Sequence, residues 1–359
     1  MKKDDAYWMS RCFELAVKGA GKVSPNPLVG SVIVKNGKKI GEGFHRQYGS
    51  HHAEINAITN VLEKKHDLTD ATMYVNLEPC FHFGNTPPCV DAILRYKFAR
   101  VVVATIDPNP LVAEKSIHKL RKNGIKCTIG ILKNEAFALN EKFFTYIKKR
   151  RPFISIKAAQ TADGFIARTD GSSKWITNIQ ARKVVHKLRV EYDAVLVGAN
   201  TVVKDDPSLT VRHVDGRNPI RVLIDGNFNV PMNKRIFNSD ASTIVYTARQ
   251  TSMAAKEKIL DLERIGVAVV QLSSKNGIFS MQSVIKDLWN HKISSVLVEG
   301  GQQMYNAFLH EELVDKIYLF TSKMKFSAGL KTFAKIPSKK NIVQRTKFGS
   351  DTLEILKLQ

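Results

Sequence analysis

Apolar side chains recur at helical spacing between about residues 4 and 20, and the period then shortens. Val29 to Val34 reads as a strand, Asn36-Gly37 is a two-residue hairpin signal, and the return strand reaches Phe44. The pattern then predicts a helix from His52 to about Lys64, a strand over 71–77 and a helix opening at Cys89. Strand 100–105, helix 112–123, strand 125–131 and helix 134–148 follow. Alternation of this kind predicts an α/β layer architecture.

A basic run, Lys148-Lys149-Arg150-Arg151, then Pro152, marks a boundary between a first domain at 1–147 and a second at 152–359. The second domain opens on strand Phe153 to Ala158. Further strands are predicted at 194–198, 220–225, 243–247, 267–272, 295–298, 316–321 and 353–358, and helices at 179–191, 254–265, 280–290 and 302–313. Two domains also suit the length, 359 residues.

Composition narrows the class. The hydrophobic share of 43% is ordinary for a globular core. The N-terminus lacks the apolar stretch of a signal peptide and no run is long enough for a membrane span, which makes the cytoplasm the expected compartment. In a reducing compartment the four cysteines are expected to be metal ligands or buried thiols, not disulfides. Cys12 and Cys127 are expected to be small buried apolar residues. The net charge of +22 would attract a polyanion, but the lysines are scattered, as on solvated faces.

The chemistry concentrates in two short segments. One is His52-Ala53-Glu54; the other runs from Glu78-Pro79-Cys80 to Pro87-Pro88-Cys89. One imidazole and two thiolates hold a zinc ion with a fourth position open to water, the hallmark of a catalytic site. Glu54, two residues after the histidine, is placed to carry protons for that water, as in zinc-dependent nucleobase deaminases. The ligands fall at predicted helix N-termini, where the helix dipole favours thiolate. His82 is a competing ligand, but a fourth protein ligand would close the site. Asn26, between Pro25 and Pro27, offers a rigid donor–acceptor pair to a heterocycle, or only a turn before the first strand.

The second half has no Gly-x-Gly-x-x-Gly, so no Rossmann site is indicated. Glu299-Gly300-Gly301 leads from a strand into a helix, and such a glycine pair either receives phosphate or makes a tight turn. Arg189 and Arg212 could grip a phosphate or be solvated, and Trp175 could stack on a ring or fill core.

Together, Pro25-Asn26-Pro27, His52-Ala53-Glu54 and Glu78 to Cys89 resemble the deaminase half of the bifunctional riboflavin-biosynthesis deaminase/reductase family. Asp163-Gly164, Ser173 to Thr177, Asp193-Ala194, Thr201 to Arg212, Arg221 to Asp225 and Glu299-Gly300-Gly301 resemble its reductase half, in the same order. The resemblance implies a cytidine-deaminase-like three-layer domain followed by a dihydrofolate-reductase-like domain. It implies deamination of 2,5-diamino-6-(5-phosphoribosylamino)pyrimidin-4-one, then NADPH reduction of the product's ribosyl chain to ribityl. Zinc would fall to His52, Cys80 and Cys89, and proton transfer to Glu54. NADPH would contact Ala159, Trp175, Thr201, Asp205, Gly226 and the segment from Gly301. Substrate would contact Ser173, Arg189, Leu209, Arg212 and Glu299. Lys157, Asp205 and Glu299 are candidates to assist ribose ring opening. The chain departs from the family pattern at Ala113 to Ser116, at Ala162, and at Thr321 to Phe326.

The resemblance also implies a homodimer or higher homo-oligomer, a small phosphorylated pyrimidine as substrate, and no nucleic-acid or membrane partner. Two other readings compete: a nucleic-acid base deaminase, and an active deaminase with a degenerate second half.

Overall fold

In a computed structural model, the described residues are 3–81, 87–110, 112–172, 176–274, 278–334 and 341–358. Contacts divide the chain into two compact units, Met1–Arg150 and Arg151–Gln359. Among the described residues no helix is long and apolar enough to cross a membrane.

The first unit runs α1 (Asp5–Ala16), β1 (Gly30–Lys35), β2 (Lys38–Phe44), α2 (Ala53–Glu63), β3 (Thr72–Val75), α3 (Cys89–Arg95), β4 (Arg100–Val103), α4 (Lys115–Lys122), β5 (Lys126–Ile129), α5 (Lys133–Leu139) and α6 (Glu141–Lys148). Its sheet has the order β2-β1-β3-β4-β5. The β1–β2 hairpin turns on Asn36 and Gly37, both at positive φ (50° and 71°), as a twist-matched two-residue turn requires. Alternation along the strands builds two cores. Ile33, Met73, Val75, Val101 and Val103 face α2, α3 and α4, and Val32, Tyr74 and Val102 face α1. The result is three layers.

Helix α2 lies close on the hairpin because β2 is glycine-bearing there. A Cβ on Gly43 would sit 2.4 Å from the Ala57 nitrogen and 2.8 Å from the Ala53 carbonyl oxygen. That contact sets the height of the helix start that carries His52 and Glu54.

The expected helix 134–148 is two helices. Asn140 breaks it at φ −108°, ψ 22° because its buried amide is used elsewhere: Oδ1 accepts from Leu28 N (2.8 Å) and Nδ2 donates to Leu28 O (3.0 Å). The first helix stops at Ala16, a single 3-10 turn carrying the chain to Gly19. Cys12 is buried as expected; Cys127, on edge strand β5, is only half-buried.

The second unit runs β6 (Phe153–Gln160), β7 (Phe165–Ala167), α7 (Ile179–Glu191), β8 (Ala194–Gly198), α8 (Ala199–Asp205), β9 (Ile220–Ile224), β10 (Thr243–Ala248), α9 (Met253–Arg264), β11 (Ala268–Leu272), α10 (Met281–Asn290), β12 (Ser295–Val298), α11 (Gln302–His310), β13 (Lys316–Thr321), β14 (Leu330–Lys331), β15 (Ile342–Phe348) and β16 (Asp351–Lys357). The main sheet has the order β11-β10-β9-β8-β12-β6-β13-β16-β15, and β7 pairs with β14 separately. Strands β11 to β13 are parallel; β16 and β15 close one side antiparallel. Strand β6 sits centrally, between β12 and β13. Helices α10 and α11 pack on one face through Val284, Leu288 and Phe308, and α7 on the other through Ala181, Val185 and Leu188.

Candidate metal centre and reductase cleft

The three predicted ligands come from three local structures. His52 is the N-cap of α2, in extended backbone. Cys89 opens α3 after Pro88, and Cys80 lies on the loop after β3. Two hydrogen bonds tie Cys80 to the start of α3: Cys89 N donates to Cys80 Sγ (3.2 Å) and Val90 N to Cys80 O (3.3 Å). His82 and Gly84 lie outside the described residues.

Nδ1 of His52 is 3.4 Å from Cys80 Sγ and 3.4 Å from Cys89 Sγ. A tetrahedral zinc ion, with bonds of about 2.3 Å to sulfur and about 2.05 Å to nitrogen, holds such atoms about 3.5 Å apart. All three donor atoms lie within 4.8 Å of one another, so they fit one zinc ion. The hydrogen bond from Cys89, then His52, holds the Cys80 thiol down to about 4 against burial. The same hydrogen bond and burial push the Cys89 thiol up.

Glu54 sits in the first turn of α2 and is almost fully buried (3% exposed). Burial pushes its carboxyl up to about 7, against the pull of His52. A carboxyl at that value can both take and give a proton near neutrality.

His45, at the end of β2, is a residue that sequence reasoning missed. Asn26 Nδ2 donates to His45 Nε2 (3.2 Å), and His45 Nδ1 donates to the His51 carbonyl (3.1 Å). Burial holds this imidazole below its usual value, so it stays neutral, and its ring stands edge-on to His52 at 5.3 Å. One histidine therefore lies between Asn26 and His52. Glu78 anchors the other wall: it accepts from Glu114 N (3.0 Å) and Ser116 Oγ (2.6 Å). The Ala113–Ser116 departure is thereby pinned to the residue just before Pro79-Cys80.

The second unit holds a cleft of about 1300 Å³. Ala159, Thr201, Asp205, Gly226, Gly301 and Glu299 all line it, as does Lys157. The volume exceeds that of ordinary small-ligand pockets, about 300–1,000 Å³, and suits a dinucleotide. Gly301 is the N-cap of α11, and a Cβ on Gly300 would sit 2.9 Å from Met304 Cγ. At Gly300 it is the Met304 side chain that crowds the turn. These residues fit NADPH without a Rossmann fingerprint.

Arg189, Leu209 and Arg212 lie off the lining. Arg189 is paired with Glu299 and donates Nη1 to Thr210 O (2.9 Å). The Leu209 side chain is packed in the core, while Arg212 is exposed. Ser173 and Trp175 lie outside the described residues.

Residues 2–105 match the family model of the cytidine and deoxycytidylate deaminase zinc-binding region, and residues 152–324 match that of the RibD C-terminal domain. Riboflavin biosynthesis protein RibD of Aquifex aeolicus (strain VF5) is 45% identical over 332 residues, covering 92% of this chain and 90% of that protein. This chain belongs to the RibD family. RibD of Escherichia coli (strain K12) is 33% identical over 357 residues, covering 96% and 94%. A solved structure from Thermotoga maritima, a diaminohydroxyphosphoribosylaminopyrimidine deaminase/5-amino-6-(5-phosphoribosylamino)uracil reductase, is 38% identical, covers 99% of both chains, and gives a TM-score of 0.88. A RibD structure from Acinetobacter baumannii gives 0.87 at 33% identity over 99% of both chains. The chain is a bifunctional deaminase and reductase of riboflavin biosynthesis, using zinc and NADPH. A RibD relationship across both halves does not favour the nucleic-acid deaminase reading.

Proposed function

We propose that residues 1–147 deaminate 2,5-diamino-6-(5-phosphoribosylamino)pyrimidin-4-one and that residues 152–359 reduce the ribosyl chain of the resulting uracil to ribityl. The observation that carries the first reaction is a single imidazole nitrogen 3.4 Å from each of two thiol sulfurs, with a buried carboxyl two residues on. Held by His52, Cys80 and Cys89, zinc supplies Lewis-acid activation of water. Glu54 passes one proton from the attacking water to the ring nitrogen, then a second from the newly added hydroxyl to the departing amine. Water enters, ammonia leaves, and a C–N bond becomes C=O. Asn26, its amide held by His45, orients the heterocycle.

In the reductase, NADPH supplies the hydride. Ala159, Trp175, Thr201, Asp205, Gly226 and Gly301 bind it; Ser173, Arg189, Leu209, Arg212 and Glu299 hold the substrate. Of the proton carriers considered for ribose opening, Lys157 fits best. Burial lowers its ammonium from the usual value, despite Glu299 with Oε2 3.8 Å away. Glu299 is unsuited: although burial opposes it, Arg189 holds its carboxyl down to about 2.

The substrate is a free phosphorylated pyrimidine, nucleic acid and membrane are not partners, the protein is cytoplasmic, and it assembles as a homodimer or higher homo-oligomer. The test follows ammonia and NADPH absorbance together in the zinc-loaded protein. Glu54→Gln should cut ammonia release by about 10²-fold or more yet leave NADPH oxidation by pre-formed deaminated product. Ammonia release by Glu54→Gln at the wild-type rate refutes the assignment.

A further inference from the structure

We infer that His186 is a positioning residue for Arg212, fixing the main chain from which that guanidinium meets an anionic group of the reductase substrate. The inference rests on the proposed reading of Arg212 as a substrate contact.

The segment after α8 turns at Leu209, whose φ of 54° is left-handed and whose side chain is packed in the core. Each of the next three residues is then tied down at its backbone. Thr210 O accepts from Arg189 Nη1 (2.9 Å), Val211 N donates to Asn218 Oδ1 (2.8 Å), and Arg212 N donates to His186 Nδ1 (3.0 Å). Two of these anchors, His186 and Arg189, lie three residues apart on α7 and so share a face.

An N–H donor at Nδ1 requires that nitrogen to be bare, so the ring is neutral with its hydrogen on Nε2. The surroundings keep it so. Burial, then Arg189, His213 and Arg212, hold His186 down to about 4, against Glu299. The His213 ring stands edge-on at 4.6 Å.

The cation being positioned is poised for an anion. Arg189 is neutralised by Glu299, and Arg235 by Asp206 at 3.1 Å. Among the described residues no carboxylate pairs with the exposed guanidinium of Arg212. Without the His186 acceptor, the Arg212 N–H loses its partner and the arginine loses its fixed origin. Substrate affinity should fall, while NADPH binding and hydride transfer, which use the cleft walls, should not.

The test is steady-state reduction of 5-amino-6-(5-phosphoribosylamino)uracil by full-chain wild type, His186→Leu, His186→Asn, Arg212→Ala and the His186→Leu/Arg212→Ala pair. His186→Leu should raise KM for this substrate about tenfold, the worth of one well-made hydrogen bond, with kcat and the NADPH KM changed less than about twofold. Asparagine places an oxygen where Nδ1 lies, so His186→Asn should restore KM. The double variant should be no worse than Arg212→Ala, because the histidine acts through the arginine. Additive losses in the double variant, or a loss in kcat equal to that in KM, overturn the positioning role. A raised KM in Arg212→Ala with an unchanged one in His186→Leu also overturns it, and leaves the substrate reading standing. An unchanged KM in Arg212→Ala overturns the substrate reading itself. Should His186→Leu not fold, His186→Asn against His186→Gln, whose oxygen falls at the Nε2 position, carries the same comparison: only Asn should retain wild-type KM.

Discussion

Arg189 grips Glu299 through one guanidinium edge, Nε to Oε1 at 2.7 Å and Nη2 to Oε2 at 3.0 Å, with both side chains at most one-tenth exposed. Removing one partner leaves the other as a buried, uncompensated charge. Glu299→Gln should therefore destabilise the second unit by about 3–5 kcal/mol, read as a lower urea midpoint.

The same pair sets an acid limit. The Glu299 carboxyl is held at about 2 against an ordinary value of 4.5. A depressed carboxylate stabilises the fold fully above its unfolded value, and that stability is lost as pH falls from about 4.5 toward 2. An acid titration of unfolding should show this loss in wild type and lack it in Glu299→Gln.

The metal centre separates binding from proton transfer. Cys80→Ser and Cys89→Ser should lose zinc, measured by metal analysis, and ammonia release with it. Glu54→Gln should keep one zinc per chain while kcat falls by about 10²–10⁴. Zinc lost equally from Glu54→Gln would make that carboxylate a ligand.

Gly43 tests how the fold sets the site. Alanine there would drive a methyl into the α2 backbone at 2.4 Å. Gly43→Ala should cost about 1–3 kcal/mol and displace the helix start bearing His52 and Glu54. Deamination and zinc retention should fall, with NADPH-dependent reduction unchanged.

Lys157→Met removes the proposed proton carrier without changing bulk much. Reduction should slow by about 10²-fold or more, with NADPH affinity, measured by fluorescence titration, retained. Wild-type turnover would return the role to Asp205.

Much of the first unit is legible in the sequence because its signals are local. Asn36-Gly37 specifies its turn by backbone preference alone. His52, Cys80 and Cys89 are chemically distinctive residues at element starts that periodicity places. What stays hidden depends on tertiary partners. Asn140 interrupts a helical pattern only because Leu28 lies within reach of its amide. His45 is an ordinary strand-end histidine until the fold puts it between Asn26 and His52. In the second unit, α8 is too short for periodicity to announce it. Strand β15 is mostly exposed, with Val343 to Arg345 exposed in succession, and carries no clean alternation. Strands β7 and β14 are too brief to register. His186 and Arg189 look like two more polar positions on a helix; only the path of residues 209–212 gives them a task.

Strand β6 begins its unit in sequence, yet its hydrogen-bonding neighbours are β12 and β13, so Phe153 is paired with Ser295. More than a hundred residues must be synthesised before the middle of that sheet can zip together, whereas the β1–β2 hairpin closes over two residues. Long-range pairing of this kind slows folding and prolongs the exposure of apolar strands. The reductase half should be the slower to mature and the greater burden on chaperones, so poor yields on overexpression should first show as protein that releases ammonia but leaves NADPH unconsumed.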